Sequence, residues 1–281
     1  MIISSIKYIK SRLTLNSKLS ILKIKNTGVD EDEIPFIELE NGKIFFGLKS
    51  SQKDKKYYNI LPKKMKRKLP FYAYKVALDI VIRYYEAGLM LGGPKKEMYY
   101  KVKADDYIAE MGAYMGHYTI YLSEKVGNTG KVIAIEPIPD NIKILEKNIK
   151  ANNITNVSIV KKGVWKEKDE MTFNREEGDT QSSSLQIKYK KNNTFTVPVD
   201  SLDNILEEQN VNHIDFMLIQ LNGVEYEALM GLTKIEPKNF AIAARYSEKG
   251  KEETVDKILK LLNKRDYTSF VEKEKFVFSK K

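Results

Sequence analysis

Two acidic residues and a pair of glycines could do the most specific chemistry in this sequence. Glu110-x-Gly112-x-x-x-Gly116 follows a short apolar run that begins at Tyr107 and precedes a helical pattern. Glu136-Pro137 closes a second apolar run, Val132-Ile-Ala-Ile135, about 20 residues after the loop. Glycines at a strand-to-helix turn let backbone approach a ligand closely, and the first N–H groups of the following helix offer a positive dipole end to a carboxylate. A carboxylate at the next strand tip can accept hydrogen bonds from both hydroxyls of a ribose. The glycine spacing alone suits a plain tight turn equally well; together with Glu136 it points to an adenosine-containing ligand. A pyrophosphate loop would read G-x-G-x-x-G, whereas Ala-Tyr-Met follows Gly112, which favours a ligand without phosphates.

The surrounding elements must place these residues at the carboxyl ends of neighbouring parallel strands. From Asp105 onward, strands and helices alternate. Strands are expected at 107–110, 132–135, 157–160, 194–199, 214–221 and 240–244, and helices from the glycine loop to about Lys125 and over 139–152, 202–208, 225–231 and 252–263. The runs 267–272 and 275–278 read as a closing hairpin, and 173–185 reads as irregular. Alternation of this kind implies a doubly wound, mostly parallel α/β sheet covered on both faces. Before it, residues 1–35 read as a basic helix or tail ending in an acidic turn. Phe36–Glu40 and Lys43–Phe46 form a hairpin whose Asn41-Gly42 suits a type I′ turn. Residues 49–69 are a Lys-rich loop or short helix, and Phe71 to Leu89 is helical up to the Gly92-Gly93-Pro94 breaker. The organisation expected is therefore a basic N-terminal α+β extension over 1–95 and a cofactor-binding domain over 96–281.

Composition narrows the function. The chain of 281 residues carries a net charge of +10, concentrated toward the N-terminus. Residues 1–103 hold 22 Lys and Arg against 10 Asp and Glu, leaving the remainder slightly acidic. Without cysteine there are no disulfides, thiolate metal sites or cysteine nucleophiles, and a cytoplasmic protein is the simple reading. No apolar run approaches the ~18 residues of a spanning helix, and lysines interrupt any signal-peptide core at the start.

The run Glu110-Met-Gly-Ala-Tyr-Met-Gly-His-Tyr-Thr-Ile-Tyr-Leu122 resembles motif I of class I methyltransferases, and in detail that of the FkbM family. The family's Asp-x-Gly-Ala-Asn-x-Gly-x-Tyr-Thr/Ser is met by Glu110, Gly112, Ala113, Gly116, Tyr118 and Thr119, with Tyr114 in the Asn place. Further matches follow in order: Glu136-Pro137 with Asn141, Leu145 and Asn148; Ser182 to Leu185; Val199-Asp-Ser-Leu-Asp203; and Gly223-Val-Glu-Tyr-Glu227. The resemblance spans about Tyr84 to the end. It implies a Rossmann-like seven-stranded sheet whose last two strands form the terminal hairpin, and S-adenosylmethionine as cofactor. By the same resemblance Glu110 and the Gly112–Gly116 backbone hold the methionine portion, Glu136 holds the ribose, and Gly163 and Val164 flank the adenine. Trp165 either helps enclose the adenine or simply packs in the core.

The sequence departs from the family at the fourth strand. Where the family commonly reads Lys-Ile-Asp-Val-Glu-Gly-Ala-Glu, this chain has Leu218-Ile-Gln-Leu-Asn-Gly-Val-Glu225, so Gln220 and Asn222 stand in place of two carboxylates. No metal site is expected there. An acidic-His pair often seen after the fifth strand is also absent, the segment being Ala243-Ala-Arg-Tyr246. Methyl transfer needs mainly in-line positioning of the acceptor, and a hydroxyl acceptor gains from a base. Glu225, His117 and Glu97 are the candidates, with a hydrogen-bonded loop histidine as the plain alternative for His117. The acceptor implied is a sugar or other small hydroxyl compound, with RNA bound through the basic N-terminal third as the alternative, and an inactive cofactor-binding homologue as a third. A sheet edge at the terminal hairpin leaves room for a homo-oligomer.

Overall fold

The computed structural model describes residues 16–86, 95–176, 179–184, 194–244, 251–272 and 276–281. The Gly92-Gly93-Pro94 breaker, Leu185 and the Arg245-Tyr246 pair lie outside the described residues.

The chain opens with strands β1 (Ile24–Val29), β2 (Pro35–Leu39) and β3 (Ile44–Phe46) in one antiparallel sheet. The hairpin 36–46 is present, but β1 replaces part of the helix or tail expected over 1–35. Its Lys25, Asn26 and Gly28 conceal a strand whose ladder comes from β2. The Asn41-Gly42 turn also differs from type I′. Only Gly42 has a positive φ, +84°. Leu39 accepts from the Gly42 N–H at 2.9 Å and its own N–H donates to the Lys43 carbonyl at 2.8 Å, which makes a three-residue loop with glycine in the left-handed position.

Short helices α1 (Lys55–Asn59) and α2 (Lys63–Lys68) lead to α3 (Tyr74–Asp79), which runs on into a π-helical stretch, Ile80–Tyr85. The Glu86 N–H reaches the Val81 carbonyl at 2.9 Å, five residues back.

The main sheet follows: β4 (Tyr107–Met111), α4 (His117–Val126), β5 (Lys131–Ile135), α5 (Pro139–Ala151) and β6 (Val157–Val160). The short β7 (Gly163–Val164) then joins β8 (Asp169–Glu176), β9 (Asp179–Ser184) and β10 (Thr194–Asp200) in a separate four-stranded sheet ordered β7-β10-β8-β9. Of the segment expected to be irregular over 173–185, residues 173–176 and 179–184 are strand. After α6 (Leu202–Glu208) come β11 (Phe216–Ile219), α7 (Glu225–Met230), β12 (Asn239–Ala243), α8 (Lys251–Asn263) and the hairpin β13 (Thr268–Glu272) with β14 (Phe276–Lys280). The seven-stranded order is β13-β14-β12-β11-β4-β5-β6, with β4, β5, β6, β11 and β12 parallel and β14 antiparallel to β12. This is a doubly wound Rossmann-like sheet. β4 is an inner strand, and the chain runs outward first to β5 and β6 and then to β11 on the other side. The reversal opens a crevice at the carboxyl end of β4.

Asparagines on α5 and at its C-terminal cap tie the N-terminal strands to this sheet. Pro139 starts the helix at a position where its missing N–H costs nothing. Asn148 accepts the Phe46 N–H at 2.7 Å and donates to the Phe46 carbonyl at 3.0 Å and the Met115 carbonyl at 2.6 Å. Asn152, one turn on, pairs in the same way with the N–H and carbonyl of Ile44 at 3.2 and 2.7 Å. The two amides therefore act as a substitute ladder for β3, and Asn148 links β3 to the glycine loop. Asn148→Ala leaves buried donors and acceptors unpaired, and is expected to cost about 2 to 4 kcal/mol. Urea unfolding measures that loss, and faster amide exchange at Phe46 and Ile44 would place it at β3.

Candidate functional site

The glycine loop is shaped by its two neighbouring strands. Gly112 has φ +80°, and a Cβ there would overlap the carbonyl oxygen of Gln220, so the turn after β4 lies directly against the end of β11. Gly112 and Ala113 both donate to the Ile135 carbonyl, at 3.0 and 3.1 Å, which fixes the loop to the end of β5. Gly116 has φ +81°, and a Cβ there would overlap the Leu145 side chain on α5. Tyr114 takes a left-handed conformation at φ 56°, one that ordinary side chains rarely adopt and that clusters at functional turns. Asn, the family residue here, takes it more easily.

Two fully buried carboxylates flank this loop. Glu136, 3% exposed, accepts the Tyr114 N–H at 2.9 Å through Oε2, and the Ile138 N–H and Asn141 Nδ2 at 3.0 and 3.1 Å through Oε1. Burial pushes its pKa up to about 7 despite these donors, and the nearby Glu110 charge adds to the rise. Glu110, 1% exposed, accepts the Thr119 hydroxyl at 2.7 Å and faces Lys96 Nζ at 3.6 Å. Burial raises its pKa, with the Lys96 charge and the Thr119 hydrogen bond opposing. Pro137 lies against Gly163, whose place would admit no side chain beside Val199. Val164 is buried, and Trp165 is half-buried with its N–H on the Asp200 carbonyl at 2.9 Å.

The structure therefore brings together Glu110, Gly112, Ala113, the Tyr114 backbone, Gly116, Thr119, Glu136, Pro137, Gly163 and the half-buried Gln220. Other expected site residues turn elsewhere. The Tyr114 ring leaves the loop to pack among Ile34, Phe46 and Leu48, beneath the Arg83 guanidinium at 4.4 Å. Tyr118 is buried with its hydroxyl on Glu97 at 3.4 Å, and Glu97 also accepts the Val102 N–H at 3.0 Å. His117 is fully buried, stacked on Phe45 at 5.7 Å with neither ring nitrogen hydrogen-bonded. Burial pushes its pKa down to about 4, partly offset by Asp79, so the ring is neutral at physiological pH.

Glu225 is 0% exposed and folds back on its own loop, accepting the Leu221 N–H through Oε1 and the Gly223 N–H through Oε2, both at 3.0 Å. Burial raises its pKa to about 7, against those backbone donors. Its carboxylate holds the turn that carries Gln220 and Asn222, the latter at φ 58°.

The fit to S-adenosylmethionine rests on this donor and acceptor set. The glycine cradle admits only backbone, one buried carboxylate stands at the tip of β5, where it could accept ribose hydroxyls, and a second at the end of β4, where it could meet an ammonium.

Arg83, Asp79 and Lys96 belong to the same buried charge cluster and have no motif in the sequence to announce them. The one available signal is a charged pair four residues apart, Asp79 inside the apolar stretch Val76–Ile82 and Arg83 directly after it.

The model of the methyltransferase FkbM domain matches residues 110–269. Among solved structures, the chain is similar to the methyltransferase FkbM from Methylobacillus flagellatus KT, at 14% identity over 77% of this chain and 57% of that one, TM-score 0.48. It thus spans little more than half of that protein's length. It is also similar to Aeropyrum pernix fibrillarin in complex with S-adenosyl-L-methionine, at 11% identity over 92% of this chain and 98% of that one, TM-score 0.43. A SAM-dependent methyltransferase from Aquifex aeolicus is similar at 15% identity over 64% of this chain and 82% of that one, TM-score 0.37. No curated protein matches the chain. Because the family match covers more than half of the sequence, this chain belongs to the FkbM family of class I methyltransferases, whose methyl donor is S-adenosylmethionine.

Proposed function

We propose that the protein transfers a methyl group from S-adenosylmethionine to a hydroxyl of a sugar or similar small acceptor. The observation that carries the cofactor half is the pair of buried carboxylates, Glu110 and Glu136, on either side of a loop that only glycine can form. In this reading Glu136 accepts the ribose hydroxyls. Glu110, steadied by Thr119, meets the ammonium of the methionine portion, while Gly163 and Val164 border the adenine. When bound, the cofactor supplies an electrophilic methyl on a sulfonium, and the chain supplies orientation and exclusion of water. Glu225 and His117 then act as positioning residues. Glu225 fixes the turn bearing Gln220 by accepting backbone N–H groups, and His117 packs the start of α4 against Phe45.

An RNA acceptor is a second reading, favoured by one feature: α2 carries Lys63, Lys64, Lys66, Arg67 and Lys68 within a single short helix. Against it, many other N-terminal lysines are matched by carboxylates, among them Lys18 with Glu86, Lys25 with Glu38 and Lys49 with Glu33. Incubating the protein with methyl-labelled cofactor and a fractionated cell extract separates the readings. Label is expected in the small-molecule or glycan fraction. Label in RNA overturns the sugar reading, and binding of cofactor with no transfer to any fraction favours a homologue that has lost catalysis.

A further inference from the structure

Arg83 lies outside the segment matched by the family and no part of the reading so far uses it. It sits in the middle of the π-helical stretch Ile80–Tyr85, a rare conformation whose usual cost is accepted where a side chain must be aimed. Its guanidinium covers the Tyr114 ring at 4.4 Å, so a planar cation is tied to a residue whose backbone forms the cofactor loop. Its Nε is buried without a hydrogen-bond partner, and the nearest carboxylate oxygen, Asp79 Oδ1, is 3.7 Å away and shared with Lys75 at 3.4 Å. The side chain as a whole is 15% exposed, so it is not sealed in the core. Glu110 is the buried anion of the same charge cluster; it faces Lys96 Nζ at 3.6 Å, and the Arg83 charge also acts on it. Fixed cations and a fixed anion thus stand together beside the loop, complementary to a zwitterion.

We infer that Arg83 binds the carboxylate of the methionine portion of S-adenosylmethionine, while Glu110 binds its ammonium. The inference rests on the cofactor reading above and gives it a polarity. The guanidinium, planar and held by the Tyr114 face and Asp79, offers a carboxylate two parallel donors, which a lysine cannot. Asp79 is a positioning residue, since it keeps Arg83 aimed without reaching the ligand.

The test is a cycle of two proteins and two ligands, read by calorimetry. The ligands are S-adenosylhomocysteine and its decarboxylated analogue, which differ only in the carboxylate; the proteins are wild type and Arg83→Met. Wild type is expected to lose roughly 10- to 100-fold in affinity when the ligand lacks its carboxylate, the size of a charge-assisted pair, and Arg83→Met about threefold or less. Equal losses in both proteins would overturn the assignment of Arg83 and leave the cofactor reading standing. If wild type binds neither ligand, the cofactor reading itself fails. Should Arg83→Met not fold, Arg83→Lys enters the same cycle, where an intermediate loss is expected and an unchanged wild-type loss counts against the bidentate fork.

Discussion

Gly112→Ala is expected to abolish S-adenosylhomocysteine binding and to lower stability by at least about 3 kcal/mol. Two costs combine. The φ of +80° disfavours any L side chain by about 1 to 2 kcal/mol. The added methyl must also overlap the backbone carbonyl of Gln220, which cannot swing aside as a side chain would, so the tips of β4 and β11 have to separate. That separation breaks the 3.2 Å hydrogen bond from the Gln220 N–H to the Met111 carbonyl and shifts the loop that Glu136 holds through Tyr114. Gly127→Ala is the control. It has a similar φ of +68° with open space around it, so it should pay the conformational cost alone and bind ligand normally. Thermal unfolding and titration of both variants check the contrast, and wild-type affinity in Gly112→Ala would contradict the cradle.

Glu136→Ala is expected to weaken binding by at least about 100-fold, because two hydroxyl hydrogen bonds to a carboxylate disappear, each worth about 1.5 to 3 kcal/mol. The Tyr114 and Ile138 N–H groups also lose their acceptor. The same residue sets a pH dependence. Burial raises its pKa from 4.5 to about 7 in the free protein. For a group raised in the folded state, the contribution to stability is whole below about pH 4.5 and is lost as pH climbs through 7, and Glu225 acts in the same direction. Ribose hydroxyls favour the ionised carboxylate, so ligand affinity should move the opposite way. It is expected to rise by up to about tenfold in all between pH 6 and pH 8, flattening above the pKa, with a weaker rise in Glu136→Gln. Calorimetry at the two pH values measures this. An affinity that falls over that range would show that Glu136 does not meet the ligand as a carboxylate.

The cofactor half of the site is legible in the sequence because its residues sit at fixed chain distances on regular elements. The tip of β4, the glycine turn and the tip of β5 follow one another within a single strand-helix-strand unit, and hydrophobic runs with few alternatives mark each strand. The elements that escape are those whose state depends on partners far along the chain. β1 and β8 are polar, and only their ladders with β2 and β10 make them strands. The Asn41-Gly42 pair fits two turn families, and the extra loop residue Glu40, with Leu39 bonded to Lys43, selects between them. Side-chain direction is equally invisible from spacing. His117, Tyr114 and Glu225 occupy the positions that motifs assign, yet packing turns His117 onto Phe45, the Tyr114 ring toward Arg83, and Glu225 onto its own backbone. Arg83 reaches the loop from another element, so no local pattern points to it.

Glu225 and its turn also explain how the chain tolerates the loss of family carboxylates at Gln220 and Asn222. The turn keeps its shape through backbone N–H groups satisfied by Glu225, independent of the chemistry of the two residues it presents.

The crevice at the carboxyl end of β4 is expected to bind S-adenosylmethionine through Glu136 and the glycine loop. A calorimetric titration of the wild-type protein with S-adenosylhomocysteine, repeated on Glu136→Ala, tests it most directly. The expected result is saturable binding at one ligand per chain that is lost or severely weakened in the variant. A flat wild-type titration, or equal affinity in both proteins, would contradict it.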